Sequence, residues 1–400
     1  MSLRKAAIVT PLRTPIGRFL GGLKTLPAEK LASHIISAVV ARTQIDPEVI
    51  DEVIFAQSYA NSEAPCIGRW AALDAGLPIK TPGFQIDRRC GGGLQAIASA
   101  AMMIQTGSAD VVLAGGVESM SNVEYYTTSM RGGSKAGTVK LHDRLERGRE
   151  RSQPAERFGV ISGMIETAEN LAREFNISRI AADELAADSH AKAKSAWERN
   201  LFDNEIVPIN APQARGEEVM VRKDEGVRPD VTVEKLGTLK PLLEGGVVTA
   251  GNSSQQNDAA AACLVIAEDK LPSLNLEPLA YFNSWAAAGC EPAKMGIGPV
   301  PAVERLFSRI GVQWDDIDLI ELNEAFAVQV LAVVKSWGMQ DFSRINVNGS
   351  GISLGHPIGA TGARIMTSML YELERINGKF ALETMCIGGG QGIAALFERP

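Results

Sequence analysis

The sequence predicts an α/β protein built from two stretches of alternating strands and helices with an insertion between them. Three observations lead there. Short apolar runs alternate with segments of helical spacing from the N-terminus to about Ser121. The texture then turns polar and charged as far as Gly246, and the alternation returns after Val247.

In the first stretch, Ala6 to Thr10 (AAIVT) reads as a strand, Ala28 to Arg42 as a helix, and Val49 to Gln57 as the approach to a second strand. A strand-like GFQID precedes Cys90, and LQAIASAAMMIQTG follows it. There Leu94, Ile97, Ala98, Ala101 and Met102 recur at helical spacing. Ala109 to Gly116 is a short, wholly apolar strand. The insertion opens with Arg131 to Arg157, which is poor in large apolar residues and carries Arg131, Lys135, Lys140, Arg144, Arg147, Arg149 and Arg151. That charge fits a solvated excursion and a functional surface equally well. Helical patterns follow at Thr167 to Glu174 and Ile180 to Asn200.

In the last stretch, Cys263 to Glu268 and Asp318 to Asn323 are strand-like, and Glu324 to Gly338 is a helix with an apolar face. The tail reads as two apolar strands joined by a glycine turn. Strand, tight turn and helix surround both Cys90 and His356, a correspondence expected of a duplicated fold.

Composition narrows the function. The chain has 400 residues, 45% of them hydrophobic and 22% charged, as in ordinary globular proteins. A net charge of −7 argues against a nucleic-acid surface, which needs a basic face. No apolar run is long enough for a membrane span, and the N-terminus has no signal-peptide core. The cysteines, Cys66, Cys90, Cys263, Cys290 and Cys386, are few, odd in number and scattered. They fit reduced cytoplasmic thiols rather than a disulfide framework, and no metal-ligand spacing occurs.

Three constellations carry chemistry. In Asp87-Arg88-Arg89-Cys90-Gly91-Gly92-Gly93, a cysteine stands where a helix begins, and backbone N–H groups there favour a thiolate. The glycines that follow remove bulk, so a substrate can approach the sulfur. A small buried cysteine in a bent turn is the equal alternative. In Gly355-His356-Pro357, a histidine held between a glycine and a proline has the fixed placement that general acid–base work needs, the alternative being a histidine hydrogen-bonded in a structural loop. His34, His142 and His190 lie in helical or polar segments and read as structural. In Cys386-Ile387-Gly388-Gly389-Gly390, a second cysteine sits beside unobstructed amides that can form an oxyanion hole, although taken alone the block reads more often as a buried cysteine in a β-turn. No glycine stretch matches a dinucleotide or P-loop fingerprint.

Taken in order along the chain, these blocks resemble the thiolase family. The resemblance extends through Ile8 to Leu23 (IVTPLRTPIGRFLGGL), Gly115 to Met120 (GGVESM), Thr167 to Asn170 (TAEN), Thr249 to Ser254 (TAGNSS), Met295 to Pro299 (MGIGP) and Asn323 to Ala327 (NEAFA). It implies a five-layered α-β-α-β-α fold of two related halves. Residues 1–121 with 247–275 would form the N-terminal half and 276–400 the C-terminal half. Residues 122–246 would be an inserted loop domain for CoA binding and oligomer contacts. It further implies a homodimer or homotetramer, with the arginine-rich segment as a tetramer contact or a basic rim for CoA phosphates.

By the same resemblance, Cys90 is the acylated nucleophile, His356 accepts its proton, and Cys386 removes or returns a C2 proton. Asn323, through a water, and His356 would stabilise the enolate, and the amides of Cys90 and Gly388 the other oxyanion. CoA would lie near Arg228, Ala250, Gly251, Ser254, Ala325 and Phe326, with Met164 beside the pantetheine and acyl group. The substrates would be acetyl-CoA, 3-ketoacyl-CoA and CoA, with no permanently bound cofactor. Asp87, Gly92 and Gly163 depart from the family's usual Asn, Ser and His. A ketosynthase would pair one cysteine with histidines or with histidine and asparagine, and a cysteine hydrolase needs no second cysteine. A non-catalytic acyl-CoA-binding module would not need Cys90, His356 and Cys386 all intact.

Overall fold

The computed structural model describes residues 3–161, 163–213 and 216–400. The principal strands are β1 (Ala6–Arg13), β2 (Glu52–Ala56), β3 (Gly83–Ile86), β4 (Val111–Ser119), β5 (Asn257–Ala267), β6 (Ala280–Gly289), β7 (Leu319–Leu322), β8 (Phe380–Ile387) and β9 (Gln391–Glu398). The principal helices are α1 (Ala28–Thr43), α2 (Ile67–Asp74), α3 (Gly92–Thr106), α4 (Arg144–Glu150), α5 (Met164–Glu174), α6 (Arg179–Glu198), α7 (Pro299–Ile310), α8 (Ala327–Ser336) and α9 (Thr361–Arg375).

The strands run in the order β7-β8-β9-β6-β1-β5-β4-β2-β3, and Gly17–Arg18 adds a short tenth strand beside β5. Within the first half the spatial order is third, second, fourth, fifth, first. The second half repeats it, with a parallel bridge between Ile320 and Ile345 in the place of the third strand. Strand directions match too. The second-to-fourth pairing is parallel in both halves, and the fourth-to-fifth and fifth-to-first pairings are antiparallel. The duplication expected from the turns around Cys90 and His356 therefore extends to the strand pairing. The halves are also joined directly, because Ala6, Ala7 and Ile8 of β1 pair with Phe282, Tyr281 and Ala280 of β6.

Alternation along each strand generates the layers, since successive side chains face opposite sides of a sheet. In β2, Val53 and Phe55 pack outward against α1 and α2, through Leu31, Ile35, Val39, Ile67 and Ala71. Ile54 and Ala56 pack inward against Leu94, Ile97 and Ala101 of α3 and Met366 and Leu370 of α9. In β9, Ile393, Ala395 and Phe397 face the same central helices. Ala394 and Leu396 face Ala302, Val303 and Leu306 of α7 and Val330, Val333 and Val334 of α8. Outer helices, sheet, central helix pair, sheet and outer helices make five layers. Each of the fully buried Val, Leu, Ile, Met and Phe side chains among them contributes about 1.5–3 kcal/mol, and each alanine less. Among the described residues, no helix is long and apolar enough to cross a membrane.

The central pair α3 and α9 cross closely because glycines meet there. A Cβ on Gly93 would lie 2.6 Å from the Ala363 nitrogen, and one on Gly362 would lie 2.2 Å from the Leu94 nitrogen. This corrects one expectation. Gly91, Gly92 and Gly93 are buried, and they admit Ile387, Ala56 and α9 rather than clearing a path to the sulfur.

Two further differences have physical causes. The helix expected from Glu324 begins only at Ala327. Glu324 spends its carboxylate on the Ser189 hydroxyl, the Asn346 amide and the Ile352 N–H, and Phe326 is extended, bridging to Ser253. Strand β6 and helices α2 and α7 were not expected. The half-exposed, alanine-rich β6 has no clear alternation, and α7 opens on two prolines, which suit a helix start but break a sequence pattern.

Candidate active site

The Cys90 turn is built by local strain and one short hydrogen bond. Between β3 and α3, Arg89 adopts a left-handed φ of 45°, uncommon for a side chain with a Cβ. The Asp87 carboxylate stabilises it by accepting the Arg89 N–H at 2.6 Å. That geometry sets Cys90 in a single turn of 3-10 helix just before α3 starts at Gly92. The Arg89 guanidinium reaches the other way and donates twice to the Gly148 carbonyl, at 3.3 and 3.2 Å.

Cys90 is half-buried. Burial pushes its thiol up, against the Gly388 N–H, the Arg89 charge and its own N–H, which pull down. The upward effect dominates, so the helix N-terminus does not by itself generate the thiolate that the sequence led us to expect. Ionising Cys90 requires a base.

His356 lies in the loop before α9 and is buried. Its backbone N–H donates to Asn257 Oδ1 at 2.8 Å, and the other end of that amide donates to the Gly17 carbonyl at 3.0 Å. Nδ1 lies 2.6 Å from the hydroxyl of Thr361, the first residue of α9, and 3.5 Å from Asn323 Nδ2. A hydroxyl accepts or donates, so Thr361 supports either tautomer. Burial lowers the imidazole to about 3, with help from the charges of Arg364 and Arg149. It is a neutral base at physiological pH.

Cys386 ends β8 and has no surface open to bulk water, yet its side chain forms part of the cavity wall. Burial pushes its thiol well up, and the nearby Cys90 and Cys290 sulfurs add to that. Gly388 follows in the β8–β9 turn, whose next two residues have φ of 89° and 85° and so need glycine.

Cys90, His356, Cys386 and Gly388 share one cavity of about 720 Å³ with Met164, Arg228, Ala250, Ser254, Ala325 and Phe326. Gly251 is not on its wall and instead packs against Leu236 and Leu239. Asn323 is also off the wall. It is fully buried behind His356, and its Oδ1 has no protein partner among the described residues. The Arg228 loop is held by His190, whose Nδ1 accepts the Arg228 N–H at 3.2 Å. Burial, then Arg228, lowers that imidazole to about 4, a structural part as expected.

Sequence reasoning missed Asn257, Thr361 and Glu118. Glu118 is fully buried, accepts N–H bonds from Ser58, Tyr59 and Gly359, and is pushed up to about 7 by burial. It ties β2 to the turn that follows His356. Only Thr361 left a signal, a hydroxyl at the helix start five residues after the histidine.

One opening is thus lined by two thiols, a neutral imidazole and the glycine turn at Gly388. Known proteins match the chain along its whole length. Residues 6–269 match the family model for the thiolase N-terminal domain, and residues 276–399 the model for the thiolase C-terminal domain. The beta-ketothiolase BktB of Cupriavidus necator is 43% identical over 399 residues, covering 99% of each chain. An acetyl-CoA acetyltransferase from the same organism is 41% identical, covering 98% of each. The crystal structure of the Bacillus anthracis acetyl-CoA acetyltransferase superposes with a TM-score of 0.95 at 40% identity, and human mitochondrial 3-ketoacyl-CoA thiolase with 0.94 at 38%, each covering 100% of both chains. Matched in both its halves and folded like solved members, the chain belongs to the thiolase family.

Proposed function

We propose that the protein transfers acyl groups between CoA thioesters through an acyl-cysteine. It would cleave 3-ketoacyl-CoA with CoA, or condense two acetyl-CoA to acetoacetyl-CoA. The observation that carries this reading is the single cavity shared by Cys90, His356 and Cys386.

In thiolysis, neutral His356 takes the Cys90 proton and the sulfur attacks the C3 carbonyl. The oxyanion is held by the N–H groups of Cys90 and Gly388, and losing such a donor typically costs about 3 kcal/mol. The C2–C3 bond then breaks. Acetyl-CoA leaves as an enolate whose oxygen is stabilised by His356, backed by Asn323, and Cys386 returns the proton to C2. His356 passes the proton it took from Cys90 to the Cys386 thiolate. CoA thiol then gives its proton to the neutral His356, its sulfur attacks the acyl-cysteine, and Cys90 leaves as a thiolate that recovers that proton from His356. Condensation is the reverse. The high-lying thiol of Cys386 supports its part, because a group that stays protonated at rest can deliver a proton.

CoA lies along Arg228, Ala250, Gly251, Ser254, Ala325, Phe326 and Met164, and Gly251 acts by shaping the loop rather than by contact. Residues 122–246 form the insertion that covers the cavity and provides oligomer contacts. The exposed Tyr125, Met130, Leu141 and Val160 support a homodimer or homotetramer. Scattered free thiols support a cytoplasmic setting, and the reaction class a place in fatty acid metabolism.

The test is a thiolysis assay over 3-ketoacyl-CoA substrates of increasing length, with acetyl-CoA condensation alongside. Cleavage with ping-pong kinetics is expected. No turnover of any chain length, in either direction, would overturn the proposal.

A further inference from the structure

Resting on the thiolase reading, we infer that the end of the cavity beyond Cys90 receives an acyl chain ending in a carboxylate, with Arg149 as its receptor. The preferred substrate is then an ω-carboxylated 3-oxoacyl-CoA.

Helix α4 roofs this end. Asp143 caps it by accepting the Leu145 N–H at 2.8 Å, and Leu145 is buried with Tyr59 and Met120. The Tyr59 hydroxyl donates to the Leu145 carbonyl at 3.3 Å. Arg149 is then positioned from two sides. Its neighbour Gly148 is tied to Arg89, which precedes Cys90. With the Gln256 amide turned so that its oxygen rather than its NH2 faces Arg149, the guanidinium donates to that oxygen through both terminal nitrogens at 3.3 Å. Gln256 precedes Asn257, which holds His356. Arg149 thus lines the cavity between the tethers of the nucleophile and of the base.

Of the other charges nearby, Arg228 also lines the cavity, and buried Glu118 accepts from the N–H groups of Ser58, Tyr59 and Gly359. Arg144 pairs with Glu124 at 2.8 Å, and Arg147 contacts His142 at 3.1 Å. Asp87 is engaged by the Arg89 N–H, and Glu146 lines the cavity but is exposed. Among the described residues Arg149 has only a neutral amide for a partner. Arg149 lines a walled cavity and, among the described residues, no carboxylate pairs with it; its planar fork fits a carboxylate. The phosphates of CoA lie a pantetheine arm away from the thioester, whereas the charge of Arg149 is felt at His356 itself.

The chemistry balances without a further reactant. Cys90 attacks the 3-oxo carbon, the C2–C3 bond breaks, and acetyl-CoA departs taking a proton at C2. The ω-carboxyacyl group stays on sulfur, with its carboxylate against Arg149, until CoA thiol removes it.

The test compares kcat/KM for thiolysis of 3-oxoadipyl-CoA and 3-oxohexanoyl-CoA, which differ at the chain end. The native enzyme should favour the dicarboxylic substrate by about tenfold or more. In Arg149→Gln that ratio should fall by about 10- to 100-fold, the loss expected for a hydrogen bond to a charged group, and Arg149→Lys should restore part of it. A native ratio at or below unity overturns the inference, as does an unchanged ratio in Arg149→Gln. So does an equal rise in the KM for CoA with both acyl substrates, which assigns Arg149 to the cofactor's phosphates. If the variants do not fold, the native ratio decides. Cleavage of 3-oxohexanoyl-CoA alone sinks only this inference, whereas no cleavage of either substrate and no acylation of Cys90 sinks the thiolase reading beneath it.

Discussion

Replacing Thr361 with valine isolates the support of His356, the proposed base. The Thr361 hydroxyl is fully buried and lies 2.6 Å from His356 Nδ1, whereas the other side-chain contact to that nitrogen, Asn323, is at 3.5 Å. Valine keeps the shape and removes the oxygen. When His356 takes the Cys90 proton the imidazole becomes a cation, and an Nδ1–H donating to Thr361 is then a hydrogen bond from a charged group. Such bonds are worth about 1.5–3 kcal/mol. Acylation should therefore slow by about 10- to 150-fold. Rapid-quench mass spectrometry with acetyl-CoA reads the acylation rate directly, and a thermal melt on the same sample checks folding. A well-folded variant that acylates within about twofold of the native rate would refute the reasoning, since that change corresponds to under about 0.5 kcal/mol.

Other outcomes follow from the same geometry. His356, lowered to about 3, stays neutral where an ordinary imidazole would be protonated, so the acylation rate should show no inflection near pH 6.5 between pH 8 and 5; one there would contradict the burial argument. The sign for stability agrees. A lowered imidazole contributes stability present above its unfolded value and lost as pH falls from there toward 3, so urea midpoints of the native chain should decline with acid more steeply than those of His356→Ala. Cys386→Ala should still acylate at Cys90 but lose carbon–carbon bond chemistry, and normal condensation by that variant removes Cys386 from the proton transfer. Gly93→Ala puts a methyl 2.6 Å from the Ala363 nitrogen and 3.1 Å from the Gly359 carbonyl, where backbone cannot yield. It should destabilise by about 1–3 kcal/mol, and an unchanged melting temperature contradicts the close crossing of α3 and α9.

Much of this was legible in the sequence because it depends on local pattern. The apolar alternation of β8 and β9 and the helical spacing of Leu94, Ile97 and Ala101 are set by which face each residue turns to the core. Strand β6 was not legible, because its place is fixed by pairing with β1 and β9, far away in sequence. In the site, Cys90, His356 and Cys386 stood out by their glycine-rich turns, but the purpose of the glycines after Cys90 did not. Gly93 serves contact with a helix some 270 residues later, which only the folded chain reveals. Asn257 was invisible for the same reason. It looks like an ordinary strand residue, and its amide meets His356 through tertiary packing alone. The state of the Cys90 thiol was also misjudged, because sequence shows the helix start and not the depth of burial that outweighs it.

The most direct measurement is the mass of the intact chain, quenched after brief exposure to acetoacetyl-CoA, followed by peptide mapping. An acyl-cysteine mechanism predicts one added acetyl group on the peptide containing Cys90 and none in Cys90→Ala. Turnover with no acylated intermediate, or with the label on Cys386, would contradict it.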